Sequence, residues 1–341
     1  MKVLMIGLGG IGQRHLRNLH TRLGDRLEVL AYRVRRTTPV LTDKLQVEPG
    51  EPSLEERYRI RVFDDLDAAL AQRPDAAFVC NPSSLHVPVA LAAARAGCHL
   101  FVEKPLSHDL ADVDALVEAV HSRGLVGLVA YQLRFHPCLQ HVKALLDRQA
   151  IGRVVAVRAE VGEHLPSWHP YEDYRQMYAS RRDQGGGVVL SQIHELDYIY
   201  WLFGYPRRLY AVGGQLTRLE VDVEDVASLL MDCGGVPVSL HQDYIQLPPS
   251  RTLQIVGDAG KILVDFRALT VESFDAQGTS AGVKTFPDFE RNQLFLDELD
   301  HFLACIAGQE TPLVSLRDGA RSLRMALAAK ESLATGRLVE L

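Results

Sequence analysis

The sequence predicts an α/β fold: an N-terminal doubly wound parallel sheet of Rossmann type, followed by an α+β domain with a large, mainly antiparallel open sheet. Three observations carry this expectation. Short apolar runs alternate with segments of helical periodicity through residues 1–133. A glycine cluster, Gly7-Leu8-Gly9-Gly10-Ile11-Gly12, separates the first apolar run from the first helical pattern. After Gly152 the texture changes, and strand signals follow one another across short Gly or Pro turns.

Taken in order, residues 3–6 are an apolar run ending in glycine, with Ile11, Leu16 and Leu19 at helical spacing behind it: strand, tight turn, helix. The alternation continues with strands at 29–31, 76–80, 99–102 and 126–130 and helices at 66–70, 85–96 and 109–121. Strands this uniformly apolar are covered on both faces, as in a parallel sheet. Residues 36–60, with Pro39, Pro49 and Pro52 among charges, interrupt the pattern as a surface excursion with one short helix. A helix at 137–146 leads into the second domain, residues 134–341. There the pattern predicts strands at 154–161, 209–212, 226–231, 237–244, 253–256 and 262–266, one long helix at 188–203, and closing helices at 295–307 and 318–334.

The 341 residues are 47% hydrophobic, ample for two cored domains without disulfides or metal staples. With 37 basic against 43 acidic side chains and no long basic block, the chain offers no electrostatic footprint for nucleic acid. Cys80, Cys98, Cys138, Cys233 and Cys305 are scattered, odd in number and never in C-x-x-C pairs, so they read as reduced core residues. No run approaches the ~18 apolar residues of a membrane span. The first residues reach Gly7 too soon for a secretory signal, and a cytoplasmic location is expected. His164, His169, His194 and His241 form no recognisable ligand set, so no metal is expected, and there is no G-x-S-x-G of a serine hydrolase.

The glycine cluster is a G-x-G-x-x-G in the context that gives it meaning. Gly7 permits the tight turn, Gly9 lets a pyrophosphate approach the backbone, and Gly12 allows helix to pack on strand. Gly10 and Ile11 open the helix, whose unpaired N–H groups suit phosphate. The second strand then ends in Ala31-Tyr32-Arg33-Val34-Arg35-Arg36, with no carboxylate for a ribose 2′-hydroxyl. Arg33 and Arg35 suit a 2′-phosphate, so NADP(H) is favoured and NAD(H) is the other possibility; an exposed basic loop is the alternative reading of these arginines. Asn81-Pro82-Ser83-Ser84-Leu85-His86 follows a strand at the end of the sheet where ligands bind, which makes Asn81, Pro82, Ser83 and His86 candidates for the cofactor. Ser83 or Ser84 also reads as a helix cap. Glu103-Lys104-Pro105 ends the next strand and directs Lys104 into the same cleft.

The motifs Gly7 to Gly12, Asn81-Pro82 with His86, Glu103-Lys104-Pro105, Arg134-Phe135 with Pro137, and Gly185-Gly186-Gly187 before His194 and Asp197 together resemble the Gfo/Idh/MocA oxidoreductases. The likeness spans the whole chain, including residues 295–308 and 332–336. It implies a Rossmann domain, here residues 1–133, and a substrate-binding domain whose open sheet serves in oligomerisation as a homodimer or homotetramer. It also implies NAD(P)-dependent oxidation or reduction of a sugar, nucleotide-sugar or polyol at one carbon.

By the same resemblance Lys104 lies near the nicotinamide and the reacting oxygen, and His194 is the histidine of the second domain's helix. Hydride transfer at carbon needs a proton moved at the attached oxygen, a role suited to His194, and a cation facing that oxygen, suited to Lys104. The chain departs from the family at Leu190, where many members carry an aspartate four residues before the histidine; Glu195 and Asp197 are the nearby carboxylates. Asp197, one helical turn on, shares a face with His194, or else forms a structural ion pair. The run Trp168-His169-Pro170-Tyr171-Glu172-Asp173-Tyr174-Arg175 concentrates aromatic and charged groups suited to a sugar ring, and Trp168, Tyr171, Tyr131 and Arg134 are the substrate candidates beside His194 and Asp197. Arg134 alternatively bridges the domains. Two other functions fit the scaffold: a glycosidase that recycles tightly held NAD, and a catalytically silent dinucleotide-binding regulator, for which the missing aspartate is the one hint.

Overall fold

The computed structural model describes residues 1–33, 39–48 and 52–341. Six parallel strands, β1 (Lys2–Ile6), β2 (Glu28–Tyr32), β3 (Arg61–Phe63), β4 (Ala76–Val79), β5 (His99–Val102) and β6 (Gly127–Val129), form a sheet in the order β3-β2-β1-β4-β5-β6. The chain leaves β1 in one direction for β2 and β3, then returns to continue on the other side from β4. A crevice therefore opens at the carboxyl ends of β1 and β4. Helices α1 (Gly10–Leu23), α2 (Leu54–Tyr58), α3 (Leu66–Leu70), α4 (His86–Arg95) and α5 (Val113–Ser122) accompany it. Every residue of β4 is buried, which is why its sequence shows no alternation.

The excursion after β2 is less superficial than its charges suggest. Val40, Leu41 and Leu54 are buried, and Gln13 of α1 donates to the Pro39 carbonyl at 2.9 Å and accepts from the Leu41 amide at 2.8 Å. The expected short helix is α2, opened by a reciprocal cap between Ser53 and Glu56.

The second sheet has nine strands: β7 (Val154–Gly162), β8 (Arg208–Gly214), β9 (Val226–Cys233), β10 (Val236–Asp243), β11 (Ser250–Gly257), β12 (Gly260–Asp265), β13 (Thr270–Asp275), β14 (Ser280–Thr285) and β15 (Val339–Glu340). Their order is β14-β13-β12-β11-β7-β10-β9-β8-β15, antiparallel except for the β7–β10 pair. Helices α6 (Pro137–Asp147), α7 (Val188–Ser191), α8 (His194–Phe203), α9 (Arg291–Ile306) and α10 (Leu316–Thr335) complete the chain. Helices α6, α7, α8 and α10 contact the sheet, while Tyr210, Val212 and Leu230 stand exposed on it.

The single helix expected at 188–203 is two, α7 and α8, broken at Gln192-Ile193. The cause is a pair of amide bonds to β10: Gln192 donates to the Asp243 carbonyl at 3.0 Å, and Gln242 donates to the Gln192 carbonyl at 2.8 Å. The Gln192 carbonyl thus has a tertiary partner. The C-terminal helices also pack on the first domain. Phe302 of α9 meets Phe78 and Phe101 edge-on, at centroid distances of 5.7 and 5.4 Å, and the Val129 amide donates to the Val314 carbonyl at 3.1 Å.

Candidate dinucleotide and active site

The turn between β1 and α1 has the shape of a pyrophosphate site. Gly7 has φ of 98°, and a Cβ there would lie 2.8 Å from the Asn81 nitrogen and the Cys80 oxygen. A Cβ on Gly12 would lie 2.3 Å from the Gly7 oxygen, whereas one on Gly9 would meet nothing within 4 Å. Glycine is therefore dictated by packing at 7 and 12, and Gly9 leaves open space outside the turn. Helix α1 starts there with no side-chain cap and no acid in its first turn, so its N–H groups and positive end remain available to an anion. These residues fit a dinucleotide. Among the described residues no group of His, Cys, Asp and Glu is arranged to hold a metal.

Two adjacent loops flank the crevice. Ser83 is buried in the turn that precedes α4, and Asn81 Oδ1 is buried without a partner at the end of β4. His86 and Glu103 are both held by protein partners at these loops. His86 is buried with Nδ1 2.8 Å from the Pro105 carbonyl and Nε2 2.8 Å from the Asn81 carbonyl, so its ring ties the Asn81-Pro82 loop to the Lys104-Pro105 turn. Burial holds its pKa below the usual value, against both carbonyls, which favour the charged ring. Glu103 Oε1 lies 2.7 Å from Nε2 of His15, and Oε2 accepts from the Lys104 amide at 3.2 Å. His15, fully buried one turn beyond Gly12, was missed by sequence reasoning, because only the fold sets it against Glu103.

Arg33 pairs with Glu55 of α2, with its side chain 12% exposed, which occupies the guanidinium expected to meet a 2′-phosphate. Arg35 lies outside the described residues.

Lys104 and His194 do converge. Lys104 Nζ donates to the Ser191 carbonyl at 2.7 Å, immediately before the break that starts α8 at His194. His194 is buried edge-on to Tyr131, with ring centroids 5.7 Å apart, and its Nδ1 has no partner. Burial, then the cations Lys104, Arg251 and Arg291, push its pKa well below the usual histidine value. The ring is neutral at physiological pH. Tyr131 itself is fully buried, so it backs His194 and does not line an open cleft.

Neither Glu195 nor Asp197 takes the place of the aspartate missing at Leu190. Glu195 turns toward the sheet, where Arg251 Nε of β11 stands 3.0 Å from Oε1 without hydrogen-bond alignment, and burial raises its pKa to about 7. Asp197 forms a bidentate pair with Arg134 at 2.9 and 2.8 Å and accepts from Ser322 at 3.0 Å, while Arg134 also donates to the Leu313 carbonyl at 2.9 Å. Both residues are buried. Where substrate contacts were expected, their groups are engaged with each other and with Ser322 and the Leu313 carbonyl.

Trp168 packs edge-on to Tyr244 at 5.5 Å. Tyr171 reaches the first domain: its hydroxyl comes within 3.2 Å of where a Cβ on Gly10 would stand. The loop thus joins one aromatic to the substrate domain and another to the glycine turn.

The description "Oxidoreductase family, NAD-binding Rossmann fold" of the GFO_IDH_MocA group matches residues 1–131, and the C-terminal domain description of the same group matches residues 139–263. Myo-inositol 2-dehydrogenase of Thermotoga maritima is 28% identical, over 100% of this chain and 98% of its own. UDP-N-acetylglucosamine 3-dehydrogenase of Acidithiobacillus ferrooxidans is 28% identical, over 80% of this chain and 82% of its own. Among solved structures, the WlbA dehydrogenase from Bordetella pertussis, in complex with NADH and UDP-GlcNAcA, shares the fold with a TM-score of 0.80 at 24% identity, over 100% of this chain and 98% of that one.

Proposed function

This chain belongs to the Gfo/Idh/MocA oxidoreductase family and is an NAD(P)-dependent dehydrogenase or reductase acting on CH–OH groups; on that premise we propose that it transfers hydride between the nicotinamide and one carbon of a polyol, sugar or nucleotide-sugar, with Lys104 and His194 handling the oxygen. The observation that carries the reading is the Lys104–Ser191 bond, which sets an ammonium within one turn of a histidine held neutral.

When bound, the nicotinamide supplies the hydride acceptor or donor. The turn from Gly7 to Gly12 holds the pyrophosphate, Asn81, Pro82 and Ser83 line the crevice beside it, and His86 and Glu103 fix the loops. Lys104 directs its charge at the substrate oxygen and favours the alkoxide. His194, neutral and shielded from water, accepts the hydroxyl proton in oxidation and returns it in reduction. The relatives' names, which include inositol and UDP-N-acetylglucosamine dehydrogenases, support a ring carrying several hydroxyls as substrate. The test is nicotinamide absorbance during incubation with inositols and UDP-N-acetylhexosamines. Turnover that disappears in Lys104→Ala while dinucleotide still binds is expected; full activity in that variant overturns the assignment.

For the cofactor, the absence of a carboxylate at the end of β2 supports NADP(H) alongside NAD(H). Arg33 would exchange Glu55 for the 2′-phosphate. Calorimetric titration with NADPH and NADH decides it: Arg33→Ala should weaken NADPH selectively, and equal effects remove Arg33 from the choice.

We further propose a homodimer or homotetramer through the open face of the second sheet. That face carries a shallow groove of about 580 Å³ lined by Glu160, Ser239, His241, Thr252 and Gln254, with Leu230 56% exposed nearby. Sedimentation at micromolar concentration tests this, and a monomer refutes it.

A further inference from the structure

We propose that Tyr171 reaches from the second domain across the glycine turn and donates its phenolic hydrogen to the diphosphate of the bound dinucleotide, clasping the cofactor; the inference rests on the dinucleotide reading above. It begins with a glycine that the backbone does not require. Gly10, the first residue of α1, is absent from the positive-φ glycines, so an L-residue fits its conformation. What a side chain here would meet is the ends of two neighbouring side chains, which would have to give by a few tenths of an ångström. A Cβ at Gly10 would stand 3.0 Å from Cδ2 of Leu45 and 3.2 Å from the hydroxyl of Tyr171. The phenol therefore lies over the first turn of α1, beside N–H groups that no side chain caps.

The segment is built to hold it there. Tyr171 stacks on His169 with centroids 5.4 Å apart and ring planes at 16°, and His169 is fixed by Glu172 at 2.5 Å. Trp168 anchors one side against Tyr244, and Arg175 anchors the other through Asp173 and Glu220. The hydroxyl stays protonated throughout the physiological range, because burial and the Glu172 carboxylate, which accepts its hydrogen here, raise its pKa; clasping the diphosphate exchanges that acceptor for a phosphate oxygen. A tyrosine so placed is a donor facing the region where the negative charge of a diphosphate belongs, and a donor to a charged acceptor is among the stronger hydrogen bonds. Because Tyr171 comes from the second domain, the cofactor cannot leave along this side without displacing the 168–175 segment.

The test is the rate of NADH release, followed by stopped-flow fluorescence with excess unlabelled NAD as trap. Tyr171→Phe keeps the ring and its stacking, and should release NADH about 10-fold to 100-fold faster than the parent. Gly10→Ala pushes the hydroxyl aside and should also speed release, with no further gain in the double variant. Release within twofold of the parent in Tyr171→Phe, or a raised substrate KM with unaltered release, overturns the clasp. Failure of the parent chain to bind NADH or NADPH would sink the dinucleotide reading itself, and the clasp with it.

Discussion

Lys104 Nζ donates to the backbone carbonyl of Ser191 at 2.7 Å, so the end of β5 in one domain is tied to the helix break that presents His194 in the other. Both ends of this bond are exceptions to regular structure: a strand end followed by proline, and a break between two helices. The consequence for catalysis concerns charge as well as position, because Lys104 is the second-largest cause, after burial, of the lowered His194 pKa.

That ordering predicts the pH profile. In the oxidation direction the neutral ring is the active form, so kcat/KM should hold from pH 8 to below 6.5 and fall only as His194 gains a proton. Lys104→Met should lower kcat by about 10²-fold to 10³-fold. It should also move the acid limb upward, toward but not reaching 6.5, since burial remains. A limb that stays in place in Lys104→Met would separate Lys104 from His194.

Two glycines of one motif should respond differently to the same substitution. At Gly12 an added Cβ meets the Gly7 backbone oxygen at 2.3 Å, which cannot yield, so Gly12→Ala should lower both Tm and dinucleotide affinity. At Gly9 nothing lies within 4 Å, so Gly9→Ala should keep the parent Tm yet bind NADH at least about 10-fold more weakly, its methyl obstructing the pyrophosphate. Calorimetry and thermal melting together check the pair. A Gly9→Ala protein with parent affinity would place the pyrophosphate elsewhere.

The contrast between legible and hidden features follows the range of the interactions. β1, β4 and β5 were readable because, past the leading Lys2 and His99, their residues are apolar and buried on both faces, and the glycine turn because local backbone geometry dictates it. β13 to β15 were not, since their residues are mostly polar or exposed and they pair only through the sheet. The break at Gln192 is imposed by Gln242, fifty residues away, on a stretch whose apolar pattern runs through it. The same limit governs the site. Lys104 and His194 stood out through motif order, but nothing local distinguishes an Arg134 that binds substrate from one that grips Asp197, and His15 acquires its partner only when α1 lies beside β5.

Acid should destabilise the fold through a second histidine. His136 caps α6 by accepting from the Cys138 amide at 3.2 Å, and burial, with Arg251 adding to it, lowers its pKa to about 4. The unfolded chain takes up a proton near pH 6.5 that the native ring refuses, so stability is intact above 6.5 and lost as pH falls toward 4. The full shift corresponds to about 3 kcal/mol. His136→Asn keeps an N-cap acceptor without a titrating group, and its Tm should decline less steeply between pH 7 and 4.5. Equal slopes would clear His136 of the effect.

Glu298 of α9 predicts the opposite dependence. It is fully buried, both its carboxyl oxygens lack a hydrogen-bond partner, and burial, followed by Glu103 and Asp197, raises its pKa well above the usual range. The native protein therefore keeps it protonated while the unfolded chain ionises above about 4.3. Its contribution is present below that pH and lost as pH rises, at up to about 1.4 kcal/mol per pH unit until the native group also ionises. Glu298→Gln replaces the neutral acid by a neutral amide of similar shape and removes the titration. The variant's Tm should match the parent near pH 4.5 and exceed it by a few degrees at pH 8. A Glu298→Gln protein that melts lower than the parent at pH 8 would mean that the carboxylate is ionised and paired in solution, which would reverse the charge assigned to this junction between α9 and the Glu103 loop.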